Sequence, residues 1–220
     1  MAVDIDGGVA VLAGPEVETP GSLRDLLDPL PGMEDVHVVL LLVGPSPLGE
    51  AQPADAPVES HAWLQTYALP VVAALTGAIA GPAMETALWA DIRVCDAGAS
   101  FQLRPDGSAR QMALLGQRGC IELARRRGNL DATAARDLGL VSQVGEASAD
   151  LGRAVASAIA SRGPIATRLA KEAIWRGLPQ PLEQALRFET DLTLLLQTTQ
   201  DRAEGVRAFL EKRAPNFTGK

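Results

Sequence analysis

The sequence predicts an α/β layer structure that gives way to helices in its C-terminal third, and three observations lead there. Residues 36–43 (VHVVLLLV) form a continuous β-branched and leucine run, the pattern of a strand buried on both faces. Residues 71–75, 83–90 and 92–95 read as strand, helix and strand in succession, the rhythm of a layered α/β fold. From Gln111 onward the chain reads as helical, with apolar residues recurring at helical spacing.

In chain order, residues 9–12 are a short apolar run closed by Gly14 and Pro15, hence a strand and a turn. Residues 22–30 are a short helix with Leu23, Leu26, Leu27 and Leu30 on one face. The prolines at 45, 47, 53 and 57 make residues 45–57 a loop. Residues 61–68 suggest a turn or two of helix, and residues 77–81 a turn. Asp131 is placed to cap a helix over 132–138 that Gly139 stops. Residues 149–160 present Leu151, Ala154, Val155, Ala158 and Ile159 as one face, and Pro164 opens the next helix. A further apolar period runs from Leu182 to Leu196. Asp201 with Glu204 reads as a cap and third-position acid for a last helix carrying Val206, Phe209 and Leu210. No internal repeat or linker interrupts the chain, so residues 1–145 and 146–220 are expected to form one continuous domain.

Bulk properties exclude several classes. The chain has 220 residues, 47% hydrophobic and 21% charged, enough for one globular domain. Aromatics are only 4%, so the core must rest on Ala, Val, Leu and Ile. A net charge of −7 without a basic run argues against nucleic-acid binding. The densest positive cluster, Arg125 to Arg127, reads either as a solvated helix end or as an anion contact. Cys95 and Cys120 have neither metal spacing nor a disulfide framework, which suits a reduced, cytoplasmic setting. The start MAVDIDGG has acids where a signal peptide would have bases. The nearly apolar stretch 68–84 is broken by Pro70, Gly77, Gly81 and Pro82, and so reads as strand, turn and helix start rather than a membrane span. His37 and His61 have no metal-ligand spacing, and no nucleophile elbow or phosphate loop is present.

Several segments together resemble the crotonase (enoyl-CoA hydratase/isomerase) superfamily. Residues 36–44 (VHVVLLLVG) and 69–77 (LPVVAALTG) look like the strands before that family's two oxyanion turns. Residues 77–91 (GAIAGPAMETALWAD) look like its G-x-A-x-G-G-G turn and helix, and residues 92–101 (IRVCDAGASF) like the strand after it. Residues 130–144 (LDATAARDLGLVSQV) and 208–217 (AFLEKRAPNF) fit its later motifs. The resemblance implies a ββα spiral followed by a helical C-terminal trimerisation region, and a homotrimer or hexamer. It also implies an acyl-CoA thioester as substrate and no cofactor, coenzyme A entering as part of that substrate.

Carried over residue by residue, the resemblance places the second oxyanion donor on Pro82, within the turn Gly81, Pro82, Ala83. Proline has no N–H, so the donor is absent; the helix dipole and the N–H groups of Ala83 and Met84 remain there. The first donor falls in residues 45–54 (PSPLGEAQPA), where the family motif is missing and Gly49 is the one candidate. The family's first glutamate falls on Glu85, which is also a favourable acid for a first helical turn. The second falls on Pro105, or on Asp106 with one residue inserted, and Asp106 beside Gly107 also suits a turn. Phe209 and Lys212 match positions that hold the adenine and phosphate end of coenzyme A; core packing and a solvated helix end are the alternatives. The resemblance thus implies an enoyl-CoA hydratase/isomerase-like enzyme of weak or altered activity, or else a non-catalytic binding or accessory subunit.

Overall fold

The computed structural model describes residues 3–46, 61–104 and 109–220. Nine strands and eight α-helices are present among them: β1 (Asp4–Asp6), β2 (Val9–Ala13), α1 (Pro20–Leu27), β3 (Val38–Val43), β4 (Val71–Leu75), β5 (Ala78–Ile79), α2 (Gly81–Trp89), β6 (Ile92–Asp96), β7 (Ser100–Gln102), α3 (Ala109–Arg125), β8 (Asn129–Asp131), α4 (Ala132–Asp137), β9 (Gln143–Gly145), α5 (Ser148–Ala160), α6 (Pro164–Gly177), α7 (Leu182–Gln197) and α8 (Gln200–Glu211).

The larger sheet has the order β1-β2-β3-β4-β6-β9, antiparallel between β1 and β2 and parallel elsewhere. A smaller sheet runs β5-β7-β8. Strands β4 and β6 of the first sheet each continue into a strand of the second, β5 and β7, and each pair ends in a helix, α2 and α3. This ββα succession is the expected spiral. Alternation along the strands gives the large sheet two apolar faces. Leu12, Val39, Leu41, Val71 and Ala73 point to the main core, and Val11, Val38, Leu40, Val72 and Val94 point to α5.

The face that α5 buries differs from the sequence expectation. Ala154 and Ala158 are exposed, while Gly152 and Ala156 lie against the sheet between half-buried Leu151, Val155 and Ile159. The reason is close approach: a Cβ on Gly152 would sit 2.8 Å from Ala74 Cβ and 2.9 Å from Leu40 Cδ1. The smallest residue therefore marks the contact, and a face drawn through the larger ones is rotated off it.

Two further expectations are corrected. The chain beyond Gln111 is not wholly helical, because β8 pairs with β7 and β9 with β6. These three-residue strands owe their conformation to partners distant in sequence and carry no pattern of their own. Within α3, Gly116 (φ 63°, ψ −179°) separates two helical segments. Asp201 is not the cap of α8: Thr199 accepts the Arg202 N–H at 3.2 Å, and Asp201 instead accepts the N–H groups of Thr218 and Gly219 at 2.7 and 2.9 Å. Glu204 likewise leaves the helix start to receive Arg213 and the Asn216 N–H. The Asp131 cap does form, accepting from Ala134 N at 2.8 Å, and Gly139 (φ 80°) ends the helix. The stretch 68–84 is β4, β5 and the start of α2, and no helix among the described residues is long and apolar enough to cross a membrane.

The join between sheet and C-terminal helices is polar. Asp91 accepts from Val71 N (2.7 Å), Trp175 Nε1 (2.7 Å) and Lys171 Nζ (2.8 Å), and Lys171 also donates to Leu69 O (2.9 Å). Arg93, buried, donates to Leu140 O and Ala90 O at 2.6 Å each. Burial lowers its pKa to about 10.

Candidate functional site

Helix α2 is apolar almost throughout and its side chains from Ala83 to Trp89 are all buried, which is what a helix without a polar face requires. Its amino end is set by the turn between β4 and β5. Gly77 takes φ 74°, and a Cβ there would meet Pro45 Cβ at 3.0 Å. The segment after β3 thus lies against this turn. Ser46 fixes the contact: its N–H donates to Ala78 O (2.8 Å), its Oγ donates to Ala80 O (2.9 Å), and the same Oγ accepts from Ala80 N (3.0 Å).

Gly81 (φ 52°) and Pro82 are the first two residues of the helix. First-turn N–H groups have no intrahelical acceptor. Pro82 removes one, and the Met84 N–H returns to Ala80 O at 3.3 Å, so it does not point out of the helix end as the sequence suggested. Gly81 and Ala83 are left as the donors without an intrahelical partner. Their amides sit at the positive end of the helix dipole.

Glu85 lies one turn along and is only 5% exposed. Burial holds its carboxyl above the usual range, and the charge of Arg104 opposes that shift. Among the described residues its carboxylate accepts no hydrogen bond, so desolvation dominates. Next to it, Thr86 donates to Val17 O (3.0 Å) and receives His61 Nε2 at 3.1 Å, which makes the Nε2–H tautomer of His61 the donor. His61 is buried, and its pKa is lowered to about 4 by that burial.

A cleft of about 590 Å³ opens at the carboxyl ends of β2, β3 and β4, where ligands of parallel sheets commonly bind. Gly14, Pro15, Gly44, Pro45 and Thr76 line it. The segments that form its walls run on to Val17 and Ser46, the residues that bond the turn and helix carrying Glu85.

The structure brings together Gly81, Pro82, Ala83 and Glu85 at the start of one helix. Asp106 and Pro105, and Gly49 with most of the 45–57 loop, lie outside the described residues. Phe209 and Lys212 stand elsewhere, on α8 and at its end. Phe209 is 82% exposed, which removes the core alternative, and Lys212 takes a left-handed φ of 54°. Arg125 and Arg126 share Glu122 at the surface, so the basic cluster is a paired helix end. Among the described residues no group of three or more His, Cys, Asp or Glu could hold a metal ion. Sequence reasoning missed Ser46; a serine inside a proline-rich stretch carries no signal of a bracket to a turn 34 residues on.

Comparison with known proteins agrees with this geometry. A sequence profile described as enoyl-CoA hydratase/isomerase matches residues 49–220. The probable enoyl-CoA hydratase 2, mitochondrial, of Arabidopsis thaliana is 34% identical over 169 residues, covering 71% of this chain and 56% of that protein. The (E)-benzylidenesuccinyl-CoA hydratase of Thauera aromatica is 35% identical over 161 residues, 68% of this chain and 63% of that one. The chain thus spans less than two thirds of the length of these relatives. The crystal structure of an enoyl-CoA hydratase from Bacillus anthracis superposes with a TM-score of 0.81 at 26% identity, covering 100% of this chain and 99% of that one. With the profile matched across most of its length, the ββα spiral in place and the turn and helix of residues 77–91 at its centre, the chain belongs to the enoyl-CoA hydratase/isomerase family.

Proposed function

We propose that the protein binds an acyl-CoA thioester and carries out a hydratase- or isomerase-type reaction with Glu85 as its acid/base group. The observation that carries this reading is the buried, desolvated carboxyl of Glu85 at the amino end of α2. A carboxyl held above its usual range is suited to exchange a proton with the α-carbon near neutral pH. The acyl-CoA would lie along the cleft at the strand ends, with the thioester oxygen reaching past it to the α2 amino end, since no α2 residue lines that cleft. Pro82 supplies no donor there, so charge on that oxygen rests on the dipole and the Gly81 and Ala83 N–H groups on either side of it, a weaker arrangement than one in which that position also donates. The reaction is therefore expected to be slow for the family, with no cofactor beyond the coenzyme A of the substrate. Asp106, Phe209 and Lys212 remain the candidate second acid and coenzyme A contacts. The loss of the donor at Pro82 also favours a second reading, a binding or accessory subunit without turnover.

The protein is proposed to act as a homotrimer or a pair of trimers. The support is the apolar surface of the C-terminal helices: Leu178 and Leu182 are each 75% exposed and Leu210 74%, beside the bare Phe209.

Crotonyl-CoA turnover, followed by loss of enoyl absorbance with coenzyme A binding measured in parallel, separates the readings. Turnover that Glu85→Gln abolishes while binding persists establishes the enzyme. Pro82→Gly is expected to raise the rate, by up to about 10²-fold for one restored donor. Binding without turnover in either protein establishes the accessory subunit, and absence of both defeats the acyl-CoA reading altogether.

A further inference from the structure

A second cavity, of about 650 Å³, lies between residues 65–68 and α6. It sits at the amino end of β4, where Lys171 holds Leu69 O. The cleft proposed for acyl-CoA reaches Thr76 at the other end of that strand, about 20 Å away along an extended chain. The two are therefore separate.

The charges lining this cavity do not cancel. Lys171 is paired with Asp91 at 2.8 Å and Arg176 with Glu172 at 3.0 Å. Arg168 has no ion pair and no hydrogen bond among the described residues, and its Nε is sealed from solvent without a partner. Arg168 and Tyr67 line the same cavity, and the charge of Arg168 opposes the rise that burial and Asp28 cause in the phenol pKa of Tyr67. Asp28 itself does not line the cavity. One positive charge without an ion pair among the described residues remains, in a space whose walls are mainly apolar: Ala68, Ile165, Leu169, Pro179 and the Trp175 ring outweigh the uncharged polar Gln65, Thr66 and Gln180.

We propose that this cavity is a second binding site, for a small monocarboxylate with an apolar body, held through Arg168. A guanidinium presents a planar fork that matches a carboxylate. A single net charge balances a monoanion, whereas a phosphate dianion would leave charge uncompensated and bring no body to fill the apolar walls. The volume is that of an ordinary small-molecule site.

The test is calorimetric titration of the intact protein with hexanoate, hexan-1-ol and inorganic phosphate. Hexanoate is expected to bind saturably at about 1 mM or tighter, with the alcohol and phosphate each at least about tenfold weaker. Arg168→Gln should weaken hexanoate about tenfold or more, and Arg168→Lys less, since it keeps the charge but not the fork. Saturating crotonyl-CoA should leave hexanoate binding unchanged. If Arg168→Gln loses its cooperative melt, Ile165→Trp, which fills the cavity from its half-buried wall, takes its place and should abolish binding. The proposal is overturned by hexanoate binding that is absent, displaced by crotonyl-CoA or indifferent to these substitutions, or by phosphate or hexan-1-ol binding as tightly as hexanoate. Failure of the acyl-CoA reading would leave it standing.

Discussion

Helices α2 and α8 meet opposite fates. In α2 every side chain from Ala83 to Trp89 is buried by the chain's own sheet and loops. In α8 only Asp201 and Ala208 are buried, and Phe209 and Leu210 stand in solvent. The region around α2 is self-sufficient: its apolar groups have partners and its titratable groups are desolvated. The C-terminal helices α6 to α8 are joined to it through Asp91, Lys171 and Trp175; they bury Leu192 and Ala208 but leave Leu182, Leu194, Phe209 and Leu210 exposed. The chain thus buries the apolar groups around Glu85 by itself and leaves those of α8 exposed.

The most severe break comes at the join. Asp91→Ala leaves Lys171 buried without its counter-charge and the Val71 N–H without an acceptor, and should cost about 3–5 kcal/mol of unfolding free energy in urea titrations. The contrast itself is sharpened by a pair of truncations. Leu88→Ala, on α2 itself, should cost about 2–5 kcal/mol, whereas Phe209→Ser should fall within about 0.5 kcal/mol in dilute monomer. The same Phe209→Ser should lower the apparent mass in sedimentation if α8 lies in an interface; an unchanged assembly would remove α8 from it.

A further contrast between the two regions is a matter of pH. The folded protein binds the His61 proton less readily than the unfolded chain, so stability conferred by neutral His61 is complete above about pH 6.5 and is lost as pH falls toward 4. The loss between pH 7.5 and pH 5 is about 2 kcal/mol, read as the difference in melting between wild type and His61→Gln. Glu85 has the reverse sign, since its raised pKa disfavours the folded state as pH rises. Glu122 on α3 and Glu204 on α8 are held low by arginines in ion pairs at the surface that are screened, so these two helices should contribute little to this profile.

Much of the fold was legible because its signals are local. β3 and β4 are buried on both faces and read as unbroken apolar runs, β6 reads as a short strand in spite of Arg93, and the Asp131–Gly139 pair announces α4 at both ends. What escaped depends on distant partners. β8 and β9 exist because β7 and β6 offer them edges. Asp201 was drawn from a helix start to the chain that returns at Thr218, and Gly152 was hidden because a contact made by a missing side chain leaves no apolar mark. At the candidate site, Pro82 and Glu85 were found through motif resemblance, and their burial and neighbours needed the fold. Arg168 gave no warning, because its cavity is built from segments about 100 residues apart.

The Ser46 bracket has a mechanical consequence. One hydroxyl both gives a hydrogen bond to Ala80 and takes one from it, so the strand-end loop and the entry to α2 are riveted as a single part. Whatever presses on residues 44–46 from the cleft is felt at Gly81 without passing through the sheet. The amino end of α2 therefore keeps its aim through residues 44–46 alone.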